Sequence, residues 1–426
     1  MRLSYNLRLD SSINWVLRDV GKLMILVVWP EFPPAIGGME THGFEFVKYL
    51  QSKAVRFLCV TNEAVERESR QENMEFDLDT KIFPLRILSR ANFSYSIETL
   101  RNIAREFRPS VVYSSHVALA PAFRGLSPVA CRTAGNDLLR PWIGPGKTTF
   151  HTMTNLNETE RISRRQKNID WVISAASDCD LLIANTQWTA NQVENYPFRQ
   201  VQVLTGGVDT NRFVPSSKSS ARLQLGLDCK KVLILIAARL VKKKGIDVAL
   251  HALSQLSELN VELIIAGSGA ESDYLHSLAE QLEILDKLRF LGSIPHRQIH
   301  QFFASADFLV VPSISYYDPI RVGMDFESMG RVICEASSCG LPVIASKTGG
   351  TGEVVEEGVT GILVEPGNPS ELAQKIKYMA ENDQVREMMG ANARRKALAD
   401  FSYEELNKKT MTLLDNIGHH DGAAIY

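Results

Sequence analysis

At 426 residues the chain is longer than one ordinary hydrophobic core, so two domains are expected. A composition 45% hydrophobic and 23% charged excludes disordered and fibrous classes. With 47 basic against 49 acidic residues the net charge is -2, which gives no global field for nucleic acid.

Residues 1–22 carry Arg2, Arg8, Asp10, Arg18 and Asp19, which break up any leader-like apolar stretch, so they are read as an extension rather than a secretory signal. The apolar run at 23–29 is far below the ~20 residues needed to span a bilayer. That excludes a spanning protein and leaves peripheral membrane contact open. The same run, ended by Pro30, reads as a strand buried on both faces. A loop with Gly37-Gly38 follows, then an amphipathic helix over 39–52 and a strand over 55–60. Residues 62–80 are polar and acidic and read as a surface loop. A helix over 96–107, a strand over 111–115, a helical segment over 117–125 and a strand over 129–133 come next. The run A-G-N-D-L-L-R-P-W-I-G-P-G then has no periodicity and reads as a loop. A basic helix over 156–178 and a strand at 181–184, taken as the last of this half, lead through 201–204 to T-G-G-V-D.

A second alternation follows the soft linker S-S-K-S-S at 216–220. Strands are expected at 232–237, 262–266, 288–291, 308–311, 342–345 and 361–364, with helices at 246–257, 271–285, 296–304, 330–339, 351–357 and 370–380. The last segment, 382–416, is charged and helical. Alternation of this kind implies two doubly wound parallel sheets covered by helices, with ligands at the carboxyl ends of the strands, facing a cleft.

Chemistry concentrates near that cleft. Arg239 and Lys244 follow the strand at 232–237, where they either neutralise a diphosphate or form a solvated basic turn. Lys242 and Lys243 are expected to be exposed. Gly37-Gly38 permits close backbone approach to a phosphate at a helix N-terminus, or simply a tight turn. Gly349-Gly350 has the same two readings. Glu327 and Glu335 lie eight positions apart with Gly330 between them, where a helix would begin. A helix over that span would separate them by about 12 Å, a spacing suited to two ends of one ligand. Glu327 alone reads equally as a helix-end charge. Glu335, inside the apolar run V-I-C-E-A, needs a partner: a ligand ribose or a structural hydrogen bond. His116 ends a strand and either faces the cleft or packs in the core or a loop. The triplets Asp77–Asp79 and Asp178–Asp180 lack a metal-site context and read as surface or helix-end acids. Six scattered cysteines fit reduced, buried thiols of a cytosolic protein. The basic stretch 161–167 lacks interleaved aromatics, which favours a solvated face over nucleic acid.

In order, A-R-L-V-K-K-K-G at 238–245, I-I-A-G-S-G at 264–269, F-L-G-S-I at 290–294, A-D-F-L-V-V-P-S at 306–313, the E-x7-E element and G-L-P-V-I-A-S-K-T-G-G at 340–350 form a specific series. Together with E-V-V-E-E-G-V-T-G-I-L-V-E-P-G at 353–367, they resemble the retaining glycosyltransferases of family 4. Thinner matches, G-G-M-E at 37–40, I-A-N-T-Q-W-T at 183–189 and G-G-V-D-T-N-R-F-V-P at 206–215, extend the likeness into the N-terminal half.

The resemblance implies the GT-B architecture: an α/β fold of two doubly wound Rossmann-like domains facing a central cleft. Their expected ranges are 23–205 (acceptor side) and 206–395 (nucleotide sugar), with a helical segment 396–426 returning to the first domain. It implies transfer of a hexosyl unit, with retention and without a bound metal, from a nucleotide-diphosphate sugar to a glycan, lipid-linked or small-molecule acceptor. A UDP, GDP or ADP donor is left open, as are a non-catalytic sugar-nucleotide subunit and an epimerase or hydrolase. By the family motif Glu335 would bind the donor ribose and Glu327 the sugar hydroxyls. Arg239 and Lys244 would stabilise the leaving diphosphate, with Gly38 approaching it from the other domain. The amides of Met329, Gly330 and Arg331 would point at the same phosphates. Three departures stand out. Ala238 replaces a usual glycine. Ala134 stands where relatives carry histidine, which turns attention to His116, His151, Asn136 and Asp137 on the acceptor side. The stretch 315–326 is longer than the family's connection. The implied location is cytoplasmic, or peripheral at the inner face of a membrane.

Overall fold

The computed structural model describes residues 24–30, 38–62, 82–85, 93–141, 145, 153–295 and 298–418. The extension 1–22, Gly37, the Asp77–Asp79 triplet, His151 and nearly all of the acidic stretch 62–80 lie outside them.

The first half builds a seven-stranded parallel sheet of order β3-β2-β1-β4-β5-β6-β7. Its strands are β1 (Met24–Val28), β2 (Arg56–Asn62), β3 (Ile82–Leu85), β4 (Val111–Ser114), β5 (Val129–Thr133), β6 (Leu181–Ala184) and β7 (Val201–Val203). Helices α1 (Gly38–Ser52), α2 (Phe93–Phe107), α3 (Asn136–Leu139), α4 (Glu158–Ala176) and α5 (Gln187–Asn191) connect them, with a 3-10 helix at Val117–Phe123. Every residue of β1, β4, β5 and β6 is buried, because side chains alternate between two covered faces. Ile25, Val27 and Tyr113 pack on one face, and Leu26, Val28 and Val112 on the other.

The second half repeats the plan in a six-stranded sheet of order β10-β9-β8-β11-β14-β15. Its strands are β8 (Val232–Ala237), β9 (Val261–Ala266), β10 (Leu288–Gly292), β11 (Phe308–Val311), β14 (Val343–Ser346) and β15 (Gly361–Val364). A separate hairpin, β12 (Tyr316–Asp318) and β13 (Gly323–Asp325), leaves the sheet between β11 and β14. The helices are α6 (Lys218–Leu225), α7 (Ile246–Ser254), α8 (Ser272–Gln281), α9 (Ile299–Ser305), α10 (Arg331–Ser338), α11 (Thr351–Val354), α12 (Pro369–Glu381) and α13 (Asp383–Lys396). In each sheet the strand order reverses once, between β1 and β4 and between β8 and β11, which is where doubly wound folds bind ligands.

Several local expectations are corrected. The run after β5 is not all loop: α3 forms because the Asp137 carboxylate accepts from Thr133 Oγ1 (2.7 Å) and the Ala134 amide (3.2 Å), while Gly135 adopts φ +92. The strand at 181–184 is not the last of its half, since β7 pairs alongside it. The serine-rich linker is partly helical, because Ser217 accepts from the Ser220 amide and caps α6. Strand β3 carries Pro84, which an edge strand tolerates because no outer neighbour needs its missing donor.

The segment 382–416 is helical, as expected, but broken in the middle. A π-type turn at Ala397–Phe401 separates α13 from α14 (Tyr403–Gly418), which crosses to the first domain. There Met411, Leu414 and Ile417 join the core of Ile25, Val27, Phe46 and Leu50, and Asn407 Nδ2 donates to the Glu45 carbonyl (3.3 Å). The two inter-domain crossings touch each other: the Gly207 and Val208 amides both donate to the Phe401 carbonyl at 2.9 Å. A Cβ on Gly206, whose φ is +112, would sit 2.7 Å from Phe401 Cα. Among the described residues no helix is long and apolar enough to cross a membrane.

Leu414 is fully buried in the first domain's core. Leu414→Ala should lower unfolding free energy by about 2–5 kcal/mol in urea titrations. Leu398→Ala, at a half-exposed site, should change it by less than about 0.5 kcal/mol.

Candidate active site

The loop after β8 delivers the cations. Residues Lys242–Lys244 form one 3-10 turn closed by Gly245 in the left-handed region, φ +58. A Cβ on Gly245 would meet the Pro312 carbonyl oxygen at 2.0 Å, so glycine lets this loop press against the one following β11. The Ile314 amide donates to the Lys243 carbonyl at 2.8 Å and pins the two together. Three lysines in one tight turn cannot all face water. Lys242 is exposed, with its Nζ 5.2 Å from the Tyr316 ring centroid. Lys243 is buried, contrary to the expectation from sequence, with Nζ 3.3 Å from Asp325 Oδ1 and 3.4 Å from the Phe326 carbonyl. Lys244 Nζ is ion-paired with Glu327 Oε2. Arg239 is exposed in the same loop.

These charges act on one another. Burial pushes the Glu327 carboxyl up, but Lys244, Lys243 and Arg239 outweigh it and hold the carboxyl below its ordinary range. Burial, reinforced by Lys244 and Arg239, draws Lys243 below the usual lysine value despite Glu327 and Asp325.

Glu327 lies in a loop, not on a helix, so a helical rise does not set its separation from Glu335. Helix α10 starts at Arg331 after Gly330 turns the chain at φ +80, ψ +68. Glu335 is buried one turn in, and its partner is a structural cation: Arg331 Nε lies 3.3 Å from Glu335 Oε1. Burial works against the Arg331 charge, but Glu335 and Tyr403 more than offset it and raise its pKa above the ordinary value. Met329 is buried, with its Sδ accepting from the Gly206 amide at 3.4 Å. Gly349 and Gly350 serve close packing: a Cβ on them would lie 1.9 Å from the Glu327 carbonyl oxygen and 2.0 Å from that of Ser328.

From the first domain, Gly38 opens α1, with open space where a Cβ would be. His116 is buried at the carboxyl end of β4. Asp137 is engaged by its own turn, and Asn136 Oδ1 accepts from Arg140 Nη2 at 3.1 Å. Contacts across the domains surround Glu327. Asn185 Nδ2 donates to Ser328 Oγ (3.2 Å) and Thr186 Oγ1 to the Ser328 carbonyl (3.0 Å). Glu353 accepts from the Gln187 and Trp188 amides at 2.6 Å each. Sequence reasoning missed Asp325 and Arg140, which are single charges without a motif, and gave Glu353 no role although it opens the motif at 353–367. Asn185 and Thr186 were legible only as a thin family match. Of the second aspartate triplet, Asp178 pairs with Arg124, and Asp180 accepts from the Val129 amide. Among the described residues no cluster of His, Cys, Asp and Glu is arranged to hold a metal.

Two doubly wound domains, with cations and an acid gathered where the second sheet reverses, define a protein of the GT-B class. Family models agree: the one described as glycosyl transferases group 1 matches residues 217–396, and glycosyltransferase family 4 matches 36–212. The chain belongs to this glycosyltransferase family.

A D-inositol 3-phosphate glycosyltransferase of Thermobifida fusca is 32% identical over 280 residues, 61% of each chain. The chain thus spans about three fifths of the length of that relative. A GDP-mannose-dependent monoacylated alpha-(1-6)-phosphatidylinositol monomannoside mannosyltransferase of Corynebacterium glutamicum is 25% identical, over 92% of this chain and 97% of its own. Anabaena HepE, crystallised with UDP, superposes with a TM-score of 0.69 at 23% identity, over 92% of this chain and 100% of its own. Sucrose-phosphate synthase of Thermosynechococcus elongatus gives 0.69 at 18% identity, over 92% and 98%. The two structural likenesses are likenesses of fold.

A carboxyl held below its ordinary value stabilises the fold above the unfolded pKa of about 4.3, and that contribution is lost as pH falls through the lower folded value. Glu327→Gln should therefore unfold at lower urea than the unmodified chain at pH 7. The gap should narrow below about pH 4; a gap independent of pH would refute the pairing.

Proposed function

We propose that the chain transfers a hexosyl unit from a nucleotide-diphosphate sugar to a glycan, lipid-linked or small-molecule acceptor, with retention and without a bound metal. The observation that carries this reading is the Lys244–Glu327 pair, beside Arg239 and ahead of the α10 N-terminus, at the point where the second sheet reverses. Charge develops there on a departing diphosphate, and preorganised cations and amides meet it without reorganising. Arg239 and Lys244 neutralise the diphosphate. The amides of Met329, Gly330 and Arg331 face it, and Gly38 borders it from the first domain, next to Gly37. Glu327 accepts from hydroxyls of the sugar. Glu335 accepts from the ribose, sharing its carboxylate with Arg331.

The acceptor hydroxyl bonds to the anomeric carbon as the carbon–phosphate oxygen bond breaks. Its proton passes to a phosphate oxygen on the same face, which preserves configuration. His116, Asn136 and Asp137 border the acceptor side, as the family resemblance implies. The relatives bear on the donor: the mannosyltransferase is named for GDP-mannose, and HepE has been crystallised with UDP-glucose. The acceptors in the relatives' names are inositol phosphate and a phosphatidylinositol mannoside, which fit a lipid-linked or small polar acceptor met at a membrane surface.

A melting series with UDP-glucose, GDP-mannose and ADP-glucose tests donor recognition. A true donor at about 100 times its Kd should add about 2.7 kcal/mol of stability. With the responding donor, Lys244→Ala and Glu327→Ala should each lower turnover by about 100-fold or more while the variants stay folded. Unchanged turnover in both would overturn the assignment.

A further inference from the structure

The twelve residues at 315–326 form hairpin β12–β13, pairing Tyr316 with Asp325, Tyr317 with Met324 and Asp318 with Gly323. Its alternation is inverted. Asp318 and Asp325 are buried, while the apolar pair Tyr317 and Met324 is 52% and 49% exposed. A covered acid needs hydrogen-bond donors or a cation: Asp318 Oδ1 accepts from the Ile320 (3.0 Å) and Arg321 (2.9 Å) amides, and Asp325 meets cations.

The cation comes from the other domain. Arg140, at the end of α3, donates through Nη2 to Asp325 Oδ1 at 2.5 Å, and its Nη1 lies 4.0 Å from Asp318 Oδ2. Lys243 reaches the same Asp325 oxygen from its own domain. Gly323, at φ +146, leaves room for the arginine stem: a Cβ there would lie 3.3 Å from Arg140 Cδ. Around the bridge, Trp188 meets Phe326 edge-on, with ring centroids 4.4 Å apart, and Arg161 Nη1 donates to the Pro319 carbonyl at 3.4 Å.

Stability alone does not account for this cluster. Buried ion bridges rarely outperform apolar packing of the same volume. Arg140 is also incompletely satisfied, since its Nε and Nη1 are buried without a hydrogen-bond partner. Two residues after Asp325 comes Glu327, so the hairpin's register and the position of that carboxylate are mechanically linked.

We infer that Arg140 and Asp325 are positioning residues: their bridge latches the hairpin onto α3 and holds the two domains closed over Lys244 and Glu327. The latch belongs to this chain's longer connection between β11 and Glu327. Closure itself is independent of the chemistry, whereas its effect on turnover rests on the transferase reading.

The test uses the full chain, small-angle scattering and steady-state kinetics with the donor found in the melting series. Arg140→Met keeps the stem and leaves Asp325 paired with Lys243, so the variant retains a neutralised core. Without donor it should show a larger radius of gyration than the unmodified chain. Its kcat should fall about 100-fold, as expected for misplaced reacting groups. Donor KM should shift by less than about threefold, because the donor is held by the second domain. Arg140→Lys should restore part of both closure and kcat, and Tyr317→Ser, on the outer face of the same hairpin, should alter neither. A lower melting temperature with unchanged scattering and kcat in Arg140→Met would overturn the latch and leave a structural bridge. If the unmodified chain transfers to no acceptor, the transferase reading fails, and scattering alone still decides the latch.

Discussion

A lysine and a glutamate brought together from the loops after β8 and β11 are the constraint on which the site depends. Neither could be buried alone: removing one partner of such a pair costs about 3–5 kcal/mol. Lys244 pairs with Glu327, and together with Lys243 and Arg239 it holds that carboxyl below its ordinary range against the opposing effect of burial. The consequence is a preformed cationic pole with a ready acceptor beside it. A ligand carrying phosphate and hydroxyls can engage both without either being created on demand.

Backbone proximity makes the pair possible. Gly245 lets the lysine turn lie against Pro312, and Gly349 and Gly350 let the loop after β14 lie against Glu327 and Ser328. A side chain at any of these positions would push the loops apart and separate the charges. The same economy operates between the domains, where Gly206 admits the returning chain at Phe401 and Gly323 admits Arg140. The central strands of both sheets are covered on both faces.

Most of the fold was legible before any coordinates. Continuous apolar runs such as those of β1, β8 and β11 read as strands buried on two faces, and their alternation with helices implies parallel sheets. Where the reading failed, local chemistry had no periodic signature. Helix α3 depends on an aspartate folding back onto Thr133 and Ala134, and α6 on a single serine cap within a stretch that looks like a linker. Strand β3 has no clear signature in the sequence, since its Pro84 is tolerated only because the strand lies at the sheet edge. At the site, the ordered motifs singled out Lys244, Arg239, Glu327 and Glu335. Lys243 reads as exposed, like Lys242, but the turn's tight geometry drives the middle lysine inward.

By itself the sequence determined the two α/β domains and the family, because these follow from hydrophobic periodicity and from motifs contiguous in the chain. Tertiary structure alone decided the partners. That Glu327 faces Lys244, that Glu335 is held by Arg331, and that Asp325 is shared by Arg140 and Lys243 are facts about groups brought within a few ångströms by sheet order and loop packing. Coulomb and hydrogen-bond energies depend on distance in space. Arg140 and Asp325 stand 185 positions apart in the chain, and no local pattern encodes their meeting.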